Sequence, residues 1–482
     1  MNYKMMGRFL SQILLIEAVF MIPAVGIGLF NTEWMAVQGF LIAIGASVLV
    51  AGALYLLCKG APSAFYAKEG MVCVGISWIA LSLFGCLPFF ASREIPQFID
   101  AFFETVSGFT TTGSTVVGNV EGLSKSILYW RSFSNWLGGM GVLVFLLAFT
   151  GGQGQGFTMH LLRAESPGPN VGKLVPKMRR TATILYLLYL VMTVLNFLFL
   201  VFGKMPVFDA VCSAMSTAGT GGFGIKNDSF ASFSPYIQNV TTVFMILFAI
   251  NFNCYYLILL RQFKAVFTDE ELRLYIGIIL GAIVLITWNI FDLYGSLGES
   301  IRHASFQVGT LVSSTGFAST DFDLWPSFSK AILICIMAVG ACAGSTGGGL
   351  KVARLLLLIK GLRRNIRQTL NPKKVQVIRN NDAPVSEKVL DHTNAYLAAY
   401  VVILFVSFVL ISIDNNFSIT TNFTAALSCF NNMGPGLELV GPTCNFADYG
   451  VFSKLILCLD MLLGRLEIFP IMILFSRSTW KR

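Results

Sequence analysis

Apolar runs near the twenty residues that cross a ~30 Å bilayer hydrocarbon core recur from Arg8 to Phe475, separated by short polar stretches. The pattern predicts membrane-spanning helices along the whole chain. Residues 8 to 59 read as two helical spans joined by a turn near Asn31 to Glu33. From residue 70 the layout becomes regular: one span, a short interrupted segment, one span, then a basic loop. This unit recurs at about 70–150, 180–262, 272–362 and 391–476. The chain therefore divides into an accessory pair (1–69) and four units (70–170, 171–265, 266–380 and 381–482). Two accessory spans and two full spans per unit make ten, which places both termini on one side.

The interrupted segments are copies of one another, and internal repetition outranks any single motif. They read DAFFETVSGFTTTG (Asp100 to Gly113), DAVCSAMSTAGTGG (Asp209 to Gly222), HASFQVGTLVSSTG (His303 to Gly316) and TNFTAALSCFNNMG (Thr421 to Gly434). Aligned on their last glycines, all four carry a small hydroxyl residue six positions earlier: Ser107, Ser216, Thr310 and Ser428. Asp100 to Thr110 rises only ~15 Å as a helix, about half of a ~30 Å core. Each copy is thus expected to be a half-helix that enters and turns back, with Asp100, Asp209 and Thr421 at N-cap positions. A non-helical return at membrane depth is tolerated only where protein buries it or water lines it, so four returns imply a pore wall. Close helix packing by small residues explains one such copy, but not four in one register.

The chemistry follows from that geometry. Half-helix C-termini aimed at the membrane centre direct negative dipole ends there and favour a dehydrated cation. Backbone carbonyls replace the ion's hydration shell, and glycine permits the angles that aim them inward. The expected filter is Thr111, Thr112 and Gly113; Thr220, Gly221 and Gly222; Ser314, Thr315 and Gly316; and Asn432, Met433 and Gly434. Thr112, Thr220, Thr315 and Asn432 are wall or ligand candidates. Glu121, Asp228, Asp321, Asp323 and Glu438 follow the glycines; they either concentrate cations at the mouth or are ordinary solvated loop charges.

Composition agrees: 482 residues, 55% hydrophobic, 12% charged, mean hydropathy +0.71. Such a chain is an integral membrane protein, not a soluble domain on one anchor. The net charge of +9 is read by position. Basic residues gather at Arg163 to Arg180, Arg261 to Arg273 and Lys360 to Arg379, and the positive-inside rule makes these loops cytoplasmic. Lys4, Arg8, Arg477, Lys481 and Arg482 put both termini there too. The ten cysteines lack metal-site spacing and read as small core residues. His160, His303 and His392 are too dispersed for acid/base or metal work.

These motifs resemble the Trk/Ktr/HKT superfamily of potassium transporters over residues 70–482, and the extra pair of spans most resembles its bacterial TrkH branch. The diagnostic glycine of each repeat matches in TTTG at Gly113, TGG at Gly222, SSTG at Gly316 and NNMG at Gly434; the fourth repeat departs most, with Met433 before and Pro435 after the glycine. The resemblance implies an all-α polytopic fold with four non-identical span, pore loop, span repeats around a pseudo-fourfold pore. It implies potassium as the transported and bound ion, with Gly113, where sodium-preferring members carry serine, favouring potassium. It also implies a homodimer in the bacterial inner membrane and a peripheral cytosolic nucleotide-binding subunit of the TrkA type.

Two further segments carry expectations. Phe328 to Lys360 is an apolar run of 33 residues, but Gly344, Gly347, Gly348 and Gly349 each weaken a helix by ~1 kcal/mol. Residues 344–349, with Ser345 and Thr346, are expected to form an intramembrane loop below the filter, either a hinge for packing or, as the resemblance implies, a gate. Arg465 lies in an apparently continuous last span, Ser453 to Phe475, where a charge costs ~3 kcal/mol. It either pairs with a carboxylate such as Asp460 or Glu467, or faces the pore as a barrier, the role a matching arginine has in the family.

Other classes fare worse. Gly219, Gly221 and Gly224 fit GxGxxG but follow no strand, and Leu350 between Gly349 and Lys351 breaks P-loop spacing. No nucleotide is expected on this chain. An enzyme needs a nucleophile with its base, or a metal cluster, and none is legible. Within transport the alternatives are a sodium- or proton-coupled potassium carrier and a pore that conducts potassium and sodium with less selectivity, because its filter sequence repeats less closely than a TVGYG ring.

Overall fold

The computed structural model describes residues 1–60, 67–141, 178–373, 376–381 and 383–480. Arg163, Lys173, Lys177, Lys374, Lys481, Arg482 and His160 lie outside the described residues, as do the side chains of Arg179 and Arg180.

The accessory pair is α1 (Tyr3–Phe30) and α2 (Trp34–Leu57). The first unit has α3 (Ala67–Gly85), α4 (Leu87–Ala91), α5 (Phe98–Phe109) and α6 (Lys125–Gly139); the second has α7 (Met178–Phe202), α8 (Val207–Gly219), α9 (Pro235–Phe248), α10 (Phe252–Leu259) and α11 (Phe263–Thr268). The third has α12 (Glu270–Tyr294), α13 (Leu297–Val312), α14 (Ser327–Val339) and α15 (Val352–Leu370); the fourth has α16 (Glu387–Ile411), α17 (Ile419–Phe430), α18 (Val451–Arg465), α19 (Phe469–Phe475) and α20 (Arg477–Trp480). A two-residue antiparallel ladder, β1 (Arg379–Asn380) with β2 (Ala383–Pro384), joins the last two units.

Six described helices are long and apolar enough to cross a membrane, seven if the pair α9 and α10 counts as one span. Ten spans are expected from the sequence, one of them interrupted at 344–349. The difference lies in the second spans, the expected one of unit one running past the described residues and those of units two to four being divided. α9 and α10 meet at 89°, α14 and α15 are separated by residues 340–351, and the last span is broken between Arg465 and Phe469. That final break corrects the continuous helix expected over 453–475: Glu467 and Ile468 take φ of 55° and 66°, which no α-helix accommodates.

The short helices α5, α8, α13 and α17 are the predicted half-helices, 12 to 16 residues long. Their starts differ from expectation. Gln97, Pro206 and Ser418 are the N-caps of α5, α8 and α17. Asp100 sits inside the first turn, where its carboxylate is 2.6 Å from Lys454 Nζ on α18. Ser418 Oγ accepts from the Thr421 amide at 3.0 Å, so Thr421 is capped rather than capping.

The accessory pair grips the first unit. Glu33, in the α1–α2 turn, accepts from the amides of Lys125 (2.8 Å) and Ser126 (3.1 Å), the otherwise unpaired donors at the start of α6. Gly39 of α2 lets the helix lie against α4, since a Cβ there would come within 2.8 Å of the Pro88 carbonyl oxygen.

Candidate functional site: four glycine returns and the layer beneath them

Each half-helix ends the same way. Thr111, Thr220, Ser314 and Asn432 adopt φ of 57°, 53°, 58° and 54°. The next amide then bonds back to the carbonyl of the repeated hydroxyl residue: Thr112 to Ser107 (2.9 Å), Gly221 to Ser216 (2.9 Å), Thr315 to Thr310 (2.8 Å) and Met433 to Ser428 (3.0 Å). This is the Schellman closure, built here on non-glycine residues. A β-branched threonine held left-handed is strained, and such strain gathers at functional sites.

The glycine then reverses the chain, with φ of 83° at Gly113, 71° at Gly222, 90° at Gly316 and 89° at Gly434. The four returns close on one another. A Cβ on Gly113 would lie 2.3 Å from the Gly221 carbonyl oxygen, on Gly222 1.9 Å from that of Thr315, on Gly316 2.3 Å from that of Met433, and on Gly434 2.9 Å from that of Thr112. Unit one thus meets two, two meets three, three meets four, and four meets one. Among the described residues, none of these four carbonyls accepts a hydrogen bond. Met433 and Pro435 leave the fourth return with the same backbone form as the other three.

The hydroxyls of Thr112, Thr220 and Thr315 beside the glycines are occupied. Thr112 Oγ1 lies 2.8 Å from Thr110 Oγ1 and accepts from Asn432 Nδ2 at 3.0 Å. Thr315 Oγ1 is 2.6 Å from Ser313 Oγ, and Thr220 Oγ1 donates to the Gly219 carbonyl at 2.6 Å. Among the described residues, the groups left without a partner at the half-helix ends include the four return carbonyls, the repeated hydroxyls of Ser107, Ser216, Thr310 and Ser428, and Asn432 Oδ1; the carbonyls are the ones brought together at the ring. All four glycines border a cavity of about 110 Å³.

The acidic residues beyond the glycines are tied into loop structure. Glu121 accepts from the Asn227 amide (3.1 Å), and Asp228 from Ser232 Oγ (3.3 Å). Asp321 accepts from the Asp323 amide (3.0 Å) and Asp323 from that of Glu438 (3.1 Å). The hydrogen bond from Ser418 holds the Glu438 carboxyl below the usual carboxylate range.

Residues 340–351 lie against this ring. The non-helical segment is wider than the expected 344–349, because Gly340 (φ 73°) and Gly349 (φ 84°) form its neck. A Cβ on Gly349 would be 2.7 Å from the Gly340 Cα. The segment is pinned to the break in unit two: the Cys342 amide bonds the Ala249 carbonyl (3.1 Å), Thr346 Oγ1 the Phe248 carbonyl (3.1 Å), and the Phe252 amide the Gly344 carbonyl (3.1 Å). It also meets the half-helix ends of units three and four. The Gly348 amide donates to Ser314 Oγ at 2.5 Å, and Cβ atoms on Gly347 and Gly348 would sit 2.6 and 2.3 Å from the Ser313 and Asn431 carbonyl oxygens. Glu271 of α12 accepts from the Ala343 amide at 2.6 Å, and Ser345 Oγ donates to the Cys342 carbonyl at 2.6 Å.

Arg465 completes the layer. Its guanidinium donates to Thr111 Oγ1 (3.0 Å), the Thr346 carbonyl (2.8 Å), the Gly139 carbonyl (2.7 Å) and the Gly138 carbonyl. The carboxylates considered from sequence are engaged elsewhere: Glu467 with Arg354 at 2.5 Å, and Asp460 with Ser407 Oγ at 2.6 Å. One arginine from unit four thus joins the half-helix end of unit one to the segment from unit three. Lys351, which no sequence motif assigns to the site, is buried, with its ammonium donating to the Gly347 carbonyl. A lysine closing a glycine run inside an apolar stretch was the available signal.

Fold and site define an all-helical, multi-pass membrane protein in which four re-entrant half-helices bring their glycine returns into one ring. The sequence profile of the TrkH family, described as a cation transport protein, matches residues 36–481. The chain belongs to that family. It is 36% identical over 421 residues to the "Trk system potassium uptake protein TrkH" of Salmonella typhimurium, covering 86% of each chain. It is 32% identical over 492 residues to the protein of the same name from Halomonas elongata, covering 100% of each. The crystal structure of the potassium transporter TrkH from Vibrio parahaemolyticus superposes with a TM-score of 0.89 at 28% identity over 100% of both chains.

Proposed function

We propose that this protein carries potassium into the bacterial cell through the ring of glycine returns, with residues 340–351 and Arg465 as the gate. The observation that carries the reading is the cyclic contact of Gly113, Gly222, Gly316 and Gly434 with the unbonded carbonyls of Gly221, Thr315, Met433 and Thr112. Carbonyls without other partners replace water around a dehydrated cation, and four half-helix C-termini add negative potential there. Thr111, Thr112, Gly113, Thr220, Gly221, Gly222, Ser314, Thr315, Gly316, Asn432, Met433 and Gly434 form this filter. Gly344, Ser345, Thr346, Gly347, Gly348 and Gly349 move with the gate.

The assembly is a homodimer, and a cytosolic nucleotide-binding subunit of the TrkA type acts on the gate through α15, which continues directly from Lys351. Exposed Arg363, Arg367 and Lys373 on and just after that helix supply its docking charge.

The test is potassium and sodium flux into liposomes holding the purified protein, native and Gly113→Ser, under an imposed gradient. Potassium-favouring flux that loses its preference in the variant supports the filter. No flux from folded protein, even with the partner subunit added, overturns it. A coupled carrier is the second reading, favoured by two buried carboxylates within the spans: both oxygens of Glu17, and Oδ2 of Asp460, have no partner among the described residues. Potassium flux that stops when a protonophore collapses the proton gradient at constant voltage selects it.

The neck of the gate gives a separate expectation. Gly349→Ala forces a side chain into a left-handed position against Gly340, a strain of about 1–3 kcal/mol. It should lower the melting temperature by a few degrees and raise basal potassium flux, both measurable on the same preparation.

A further inference from the structure

Behind the ring, between units one and two, lies a buried ion pair that the pore reading does not use. Glu104 sits on α5 nine positions before Gly113, and Arg131 sits on α6. Their side chains are 0% and 2% exposed, with Arg131 Nη2 2.7 Å from Glu104 Oε1. Arg131 Nε donates to the same oxygen at 2.8 Å. An ion pair this deep is costly to desolvate and is weak support for stability as such, so its contacts decide what it does.

Those contacts converge on two neighbouring return strands just past their glycines. In unit one, Glu104 accepts from the Val116 amide (3.0 Å) and from Thr115 Oγ1 (3.0 Å). In unit two, Arg131 Nη1 donates to the Gly224 carbonyl at 3.3 Å, and the guanidinium lies 4.2 Å from the centre of the Phe223 ring. The strands so held are the two that meet where Gly113 faces the Gly221 carbonyl. The other units have no charged counterpart: the positions equivalent to Glu104 are Ser213, Gln307 and Ala425. Units three and four hold their return strands by neutral bonds, from Gln307 Nε2 to the Thr320 carbonyl (3.2 Å) and from the Leu437 amide to Thr424 Oγ1 (3.0 Å). The seam between units two and three is closed by uncharged groups instead, with Ala318 accepting from the Phe230 amide and donating to Ser229 Oγ.

We infer that Glu104 and Arg131 are a positioning pair that sets the spacing of the first and second return strands and thereby the cation preference of the ring. The inference rests on the filter reading above. Whether selectivity comes from ring size or from carbonyl field strength, both depend on where the carbonyls are held. Arginine suits this role because its planar fork bonds a carboxylate and a carbonyl while its face covers an aromatic ring. Without the brace, the strands relax toward the smaller sodium ion.

The experiment measures the potassium-to-sodium flux ratio in liposomes, with melting temperature read in parallel, for Glu104→Gln and for Glu104→Gln combined with Arg131→Met. Glu104→Gln should lower the ratio about fivefold, the loss of one charged partner being worth at least that factor. The double variant leaves no uncompensated charge. It should recover most of the melting temperature but not the ratio, which a merely structural pair would restore. A native ratio in either folded variant overturns the inference. Gly113→Ser serves as the control. If it shifts the ratio while the pair variants do not, only the positioning role fails; if it also leaves the ratio unchanged, the filter reading fails with it.

Discussion

Gly222→Ala is expected to abolish selective cation flux, the potassium-to-sodium ratio falling at least about tenfold. The added Cβ would lie 1.9 Å from the Thr315 carbonyl oxygen and 3.0 Å from its carbon. These are backbone atoms of the next return strand and have no rotamer to escape into. The left-handed φ of 71° adds ~1–2 kcal/mol for a side chain, and overpacking a filled site adds ~1–3 kcal/mol. The sum exceeds the ~1.4 kcal/mol that corresponds to a factor of ten. The strand relieves the clash only by turning the Thr315 carbonyl away, which on the proposed reading removes a ligand. The same distances rank the four positions: Gly222 at 1.9 Å, Gly113 and Gly316 at 2.3 Å, and Gly434 at 2.9 Å. Gly434→Ala should therefore be the mildest of the series. A folded Gly222→Ala protein with native selectivity, in paired potassium and sodium uptake assays, would contradict the ring.

Arg465→Ala should raise potassium flux, roughly tenfold or more, without preventing assembly. The guanidinium supplies four hydrogen bonds between units, two of them holding Thr346 and Thr111 together. Hydrogen bonds to a charged group contribute ~1.5–3 kcal/mol each, and losing even one bond to the 340–351 segment shifts its closed population by about a factor of ten. Removing the cation also lowers the electrostatic barrier to a second cation beneath the ring. Arg465→Lys is the sharper control, since a lysine keeps the charge but cannot reach four acceptors with a planar fork. If the charge is the barrier, Arg465→Lys stays near native flux; if the bonds are the latch, it behaves as Arg465→Ala. Native flux from both variants would remove Arg465 from the gate.

Much of this architecture was legible in the chain because it rests on local preferences. The half-helices were readable from segments too short to span, and the glycine positions from a register kept four times. The break in the last span had a signal in Pro470, which is tolerated in the first turn of a helix but not inside one and which stands in the first turn of α19. What the proline does not give is the form of the break, with Glu467 and Ile468 both left-handed. The non-helical segment is legible from its glycine run but extends beyond it, because Gly340 stands apart from that run and its role appears only where it crosses Gly349. Asp100 looked like a cap from its place in the repeat; its partner Lys454 is 354 residues away.

The sequence by itself determined that this is a membrane protein, that it contains four copies of one re-entrant element, and where each copy turns. Hydropathy, helix length and glycine placement are properties of single residues and short windows, so they survive in a linear string. Only the tertiary structure decided which glycine faces which carbonyl, that Arg465 bonds carbonyls from units one and three, and that Glu104 and Arg131 brace one seam of the ring. Those contacts are made largely by backbone oxygens, which every residue carries alike, so no letter in the sequence records them.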